Sequence, residues 1–235
     1  MKLHILLAGS LALLTPLPAT ASCQGCHPRP ELSRSDGASV QVIVQGQSAL
    51  TFFMSATDKA NRGDKHAAIL DYGRAIEISP RFFEAYLNRG NLRDDVGDWN
   101  GAMADYSSAI AINPKSSLVY LNRGLARLRH GDKQGAISDY NQAIEVDPSD
   151  SLLLVYRGRA KLDLEDRQGA LIDFSKAIGI SPQNGEAYYF RALANAESGG
   201  YAKACLDLRS AAVLGYANAA EWLARFETLW CESTR

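Results

Sequence analysis

Across residues 49–216 the apolar positions recur at helical rather than strand spacing; Leu118, Leu121, Leu125 and Leu128, three and four residues apart, form one stripe. Prolines then punctuate the pattern at Pro80, Pro114, Pro148 and Pro182, each 34 residues from the last. Aligned on them, small residues fall in one column (Ala56, Gly90, Gly124, Gly158, Ala192). Alanines fall in a second (Ala68, Ala102, Ala136, Ala170, Ala204) and a third (Ala75, Ala109, Ala143, Ala177, Ala211). Rings or leucine occupy a fourth column at Tyr72, Tyr106, Tyr140, Phe174 and Leu208. A fixed period of this length is the mark of stacked supersecondary units.

Each unit predicts two amphipathic helices around a Gly-Asp turn, as at Gly97-Asp98 and Gly131-Asp132. Glycine accepts the left-handed conformation that ends the first helix, aspartate caps the second, and proline stops the pair. The glycines of the small column let two backbones approach, Gly124 being expected to face Ala136 with Tyr140 and Ile144 filling the space on either side. The expected units are 49–82, 83–116, 117–150, 151–184 and 185–216.

"YLNRGLARLRHGDKQGAISDYNQAIEVDP", Tyr120 to Pro148, resembles the tetratricopeptide repeat, and the resemblance extends over all five units. It implies an all-α, right-handed superhelical solenoid whose concave face is lined by the first helix of each pair. The end units depart from the pattern, with Ser55 where the others carry arginine and Tyr216 where proline is expected. After them, residues 217–231 predict a capping helix with Ala220, Leu223, Ala224 and Phe226 or Leu229 along its covering side. Cys205, in the second helix of unit five, and Cys231, after the cap, are placed to form a disulfide closing a loop of about 25 residues, worth roughly 3 kcal/mol if unstrained; two separate buried thiols are the alternative.

The chain opens with Lys2, an apolar run from Ile5 to Leu14, Pro16, and Ala19-Thr20-Ala21, the order of a secretory signal over residues 1–21 and too short an apolar run to span a membrane. An exported chain, periplasmic or secreted, is therefore expected, with residues 22–48 as a flexible arm. Loss of Lys2 takes the formal charge from -1 to -2, which offers nothing to nucleic acid or an anionic membrane.

In the arm, Cys23-Gln-Gly-Cys26-His27 matches the attachment pattern of a c-type haem, the runner-up reading as a redox or haem-carrying protein. About 20 residues separate it from the first unit, too few to enclose a haem. Lipid on Cys23, in a weak lipobox, would make the chain a lipoprotein and is the one route to a membrane. A small Cys23–Cys26 disulfide or pairing with another chain is the bland outcome, and zinc lacks a fourth ligand. No cofactor or metal is expected.

No catalytic set is present: the four histidines are scattered and no phosphate-binding loop, zinc-protease or serine-hydrolase pattern occurs. Binding remains, by a protein or peptide with apolar anchors. The resemblance places the groove at Phe53, Leu87, Asn91, Leu118, Leu121, Leu125, Leu128, Val155, Arg159 and Tyr189, with Leu152 beside them. Glu84, Asp94 and Glu186 make its flanks acidic. Asn88, Asn91 and Asn122 match part of the family's grip on a C-terminal carboxylate, but Leu87 and Leu121 replace the lysine it needs. The leucine stripe suits a buried core equally well. A last pair of columns, Arg89, Arg123, Arg157 and Arg191 against Asp71, Asp105, Asp139, Asp173 and Asp207, reads as ionic struts between the helices of a unit; the alternative is a basic ladder for an acidic ligand.

Overall fold

The computed structural model describes residues 48–226 and Cys231. Within them lie eleven helices and no strand: α1 (Ala49–Asn61), α2 (Lys65–Ile78), α3 (Phe83–Asp95), α4 (Trp99–Ile112), α5 (Ser117–Arg129), α6 (Lys133–Val146), α7 (Ser151–Leu162), α8 (Arg167–Ile180), α9 (Gly185–Glu197), α10 (Tyr201–Val213) and α11 (Ala217–Phe226). They stack as five antiparallel pairs with α11 against α10.

The turn inside each pair follows from local chemistry. Asp64, Asp98, Asp132 and Asp166 each accept a hydrogen bond from the backbone N–H three residues on, at 3.3, 3.0, 2.9 and 2.9 Å, and so cap α2, α4, α6 and α8. Just before them the chain passes through positive φ at Gly63, Gly97 and Gly131. In the third unit the Asp132 N–H reaches back to the Arg127 carbonyl at 2.9 Å, tying off the end of α5.

The fourth unit makes the same turn with Glu165, at φ 62°. A side chain there crowds its own carbonyl by about 1–2 kcal/mol, part of which glycine gives back as chain entropy. Glu165→Gly is therefore expected to stabilise the protein by a net ~0.5–1 kcal/mol, read as a higher urea midpoint. An unchanged midpoint would mean that the turn is unstrained.

The small column packs against rings. A Cβ on Gly90, Gly124 or Gly158 would lie 3.0, 2.6 or 2.6 Å from Cε1 of Tyr106, Tyr140 or Phe174. Those rings are buried, and the absence of bulk on α3, α5 and α7 is what lets α4, α6 and α8 bring them in. Between units, Ala85, Val119, Leu153 and Ala187 at the starts of α3, α5, α7 and α9 are buried. Thr51, at the same place in α1, is exposed, because no unit precedes it within the described residues.

The ionic columns are struts. Arg89, Arg123, Arg157 and Arg191 each grip an aspartate on the partner helix with two nitrogens; the Nη2–Oδ1 distances to Asp105, Asp139, Asp173 and Asp207 are 2.7, 2.6, 2.6 and 2.7 Å. The Asp207 hydrogen bonds hold Arg191 protonated beyond its ordinary range, against the opposing pull of burial. A second column, invisible in the paired reading, supplies another cation: Arg93, Arg127 and Lys161 reach Asp105, Asp139 and Asp173 at 2.9, 2.8 and 2.8 Å. In the first unit Ser55 donates to Asp71 at 2.7 Å and Lys59 pairs with it. Burial pushes the Asp71 carboxyl up, but the bonds from Lys59 and Ser55 outweigh it and hold the group below its usual range. In the fifth, Asn195 stands in at 3.5 Å.

At the C-terminal end Ala219 is buried, and Trp222 and Leu223 pack on a cluster containing Ala192, Leu208 and Ala211. Ala220 and Ala224, expected on the covering side, are exposed. α11 is thus rotated from the expected register, because Ala219 is the small residue that can enter the α10 surface. Leu229 lies outside the described residues. A disulfide joins Cys205 to Cys231, with Cα atoms 5.6 Å apart. It pins the chain beyond α11 to α10, and a ten-residue helix needs such tertiary support.

Candidate functional site: the inner face of the first helices

The stripe expected to line the groove divides into three zones. Toward the N-terminal end it is polar and internally bonded. The Tyr72 hydroxyl meets Thr57 Oγ1 at 3.0 Å and accepts from Asn88 at 3.4 Å. The Tyr106 hydroxyl donates to Asn91 Oδ1 at 2.9 Å, and Asn122 Nδ2 donates to the same oxygen at 3.1 Å. Phe53 stacks on Phe82 with ring centroids 4.8 Å apart and meets Tyr72 edge-on. The asparagines are thus engaged in holding neighbouring units together.

The middle zone is apolar. Leu118 is 50% exposed and Leu152 43%. Leu121, Leu125 and Leu128 are half-buried around Tyr140 and Tyr156. Leu87 and Val155, expected in the groove, are buried at 5% and 0% exposure and offer a partner no surface. They sit where neighbouring units close over the stripe, whereas Leu118 and Leu152, a turn earlier in their helices, stay outside.

The C-terminal zone is aromatic. The Arg159 guanidinium lies 4.6 Å from the Phe190 ring centroid and 5.9 Å from that of Tyr156, and pairs with Glu186 at 3.2 Å. Tyr189 packs against Phe190 and Tyr216, and burial raises its phenol pKa. Tyr156 and Phe190 did not stand out in the sequence. The signal for them lies in the register of Asn88 and Asn122, the same place in the preceding units.

The flanks are not the acidic rims expected. Asp94 is buried and held by Arg129 and by His130 Nε2 at 3.2 Å, the His130 ring lying against Trp99. Glu186 is neutralised by Arg159, and Glu84 alone of the three is an exposed acid. Among the described residues no three His, Cys, Asp or Glu side chains are grouped to hold a metal ion. Cys23, Cys26 and His27 lie outside the described residues.

The tetratricopeptide-repeat profile matches residues 121–185, and a second TPR-repeat profile matches residues 95–131. The chain is a tetratricopeptide-repeat protein. Its solved neighbours share the solenoid. MamA is 23% identical over 70% of this chain and 96% of its own, with a TM-score of 0.63. YrrB, described as a TPR protein with an unusual peptide-binding site, is 17% identical over 76% of this chain and 92% of its own, with a TM-score of 0.61. PilW, described as a widely conserved type IV pilus biogenesis factor, is 17% identical over 77% and 93%, with a TM-score of 0.60. No curated protein matches the sequence. At these identities the likeness is one of fold, a scaffold type used for protein–protein contact, and the groove of this tetratricopeptide-repeat chain is argued from its own side chains.

Proposed function

We propose that this tetratricopeptide-repeat chain is a non-enzymatic adaptor that works outside the reducing cytosol and holds an extended or helical segment of another exported protein on its inner face. The observation that carries the reading is the pair of exposed leucines, Leu118 and Leu152, beside the half-buried Leu121, Leu125 and Leu128. Leucines left in water on a concave surface are ready anchors for apolar side chains, and their burial is worth roughly 1.5–3 kcal/mol each when complete. The solved neighbour described as peptide-binding supports the same use of the fold. The Cys205–Cys231 disulfide and the signal-like opening support the compartment.

The test is placed at the exposed leucine. Leu121 packs into two core clusters, so a charge there would disturb folding as well as binding. Short linear peptides selected by display against the full chain are measured against Leu118→Glu. The variant is expected to bind them at least about tenfold more weakly, since the charge must be desolvated where a leucine had been buried, while its thermal midpoint by circular dichroism is kept. Equal binding by the variant would refute the groove.

A further inference from the structure

The ring column ends on the inner face, and the first two units give its hydroxyls partners there. Tyr72 has Thr57 and Tyr106 has Asn91, at 3.0 and 2.9 Å. The fourth unit removes the problem by carrying Phe174. The third does neither. Tyr140 is fully buried, its hydroxyl has no hydrogen-bond partner among the described residues, and the residue standing where Thr57 and Asn91 stand is Leu125. A buried donor left unmade is costly and rare enough to require a reason. A trapped water needs two to four polar partners, and the side chains packed with Tyr140 in its cluster are Leu121, Leu125, Leu128, Ile137 and the Tyr156 ring. Leu125 is half-buried and packs in the same cluster as Tyr140.

We propose that the Tyr140 hydroxyl is a donor held for the bound segment: when a leucine-bearing partner segment seats against Leu118 and moves Leu125 aside, one of its main-chain carbonyl oxygens accepts this bond, as Asn91 Oδ1 does from Tyr106. The complement is one of hydrogen bonding as well as apolar area. Tyr140 thus fixes where along the groove the segment's backbone lies, and the third unit becomes the register point of recognition. The inference rests on the adaptor reading above and deepens it.

The experiment uses the display-selected linear peptides on the full chain with three variants, Leu118→Glu, Tyr140→Phe and Leu125→Asn. Tyr140→Phe is expected to bind roughly fivefold or more weakly with no loss of thermal midpoint, since the free protein made no bond with that hydroxyl. Leu125→Asn, which supplies the acceptor that the second unit already has, is expected to raise the midpoint and weaken binding together. If binding falls in Leu118→Glu but is unchanged in Tyr140→Phe, this inference is overturned and the groove stands. If the midpoint of Tyr140→Phe drops, the hydroxyl was bonded in the free protein and the inference is likewise wrong. Peptides indifferent to Leu118→Glu, or a selection that yields none, overturn both.

Discussion

Replacing Asp139 by alanine is expected to destabilise the array by about 3–5 kcal/mol, one of the two largest single-site effects foreseen in the chain. The side chain is 2% exposed and holds Arg123 through Nη2 at 2.6 Å and Arg127 through Nη1 at 2.8 Å. Both arginines are themselves largely shielded, with side chains 17% and 26% exposed. Removing the anion leaves two cations facing each other in a poorly solvated seam between α5 and α6, and the cost is that of the stranded charges rather than of the lost pair. Urea denaturation followed by circular dichroism measures it. Asp207→Ala should cost less, because that side chain is 10% exposed and Asn195, a neutral amide, replaces the second cation. Equal losses at the two sites would show that the struts contribute by packing alone.

Phe174→Ala is expected to cost about 3–5 kcal/mol by opening a cavity in the fourth unit, where the ring is fully buried beside Val155, Ala170 and Ala187. The informative measurement is the partner substitution. A Cβ on Gly158 would approach the Phe174 ring to 2.6 Å, so Gly158→Leu alone overpacks the site and costs about 1–3 kcal/mol or more. Combined, leucine on α7 occupies part of the space vacated on α8, and the double variant should be more stable than the sum of the two losses predicts, with a coupling of about 0.5–3 kcal/mol. Strict additivity in the melts would mean that ring and glycine do not share one space. Because each unit rests on its neighbours, either single variant should also broaden the unfolding transition as the array separates at its fourth pair.

Much of the fold was legible because a repeat states each local rule several times. The Gly-Asp turns, the small and alanine columns and the Arg–Asp spacing each recur at one period, and a pattern with a local steric or capping cause survives translation into structure unchanged. What did not translate are features that depend on which neighbour arrives. The stripe that includes Leu87, Leu118 and Val155 reads alike along the chain, but Leu87 and Val155 are closed over and Leu118 is not. The second cation of each strut belongs to a column, Lys59, Arg93, Arg127 and Lys161, that reads as ordinary surface charge until the aspartate is seen between two helices. The acidic look of the flanks dissolved once Asp94 and Glu186 met Arg129, His130 and Arg159 from neighbouring units.

The sequence by itself determined that this is a chain of helix pairs, where each pair turns and which small residues allow close approach, because capping, glycine's backbone freedom and helical periodicity act over a few residues. Only the tertiary structure decided which leucines stay wet, which acids are neutralised, which side of α11 is covered, and that Tyr140 alone in its column has a hydroxyl unbonded among the described residues. Those outcomes turn on contacts fifteen or more residues apart, within a helix pair or between neighbouring pairs, where exposure and partnership are properties of the stack and not of any one stretch of it.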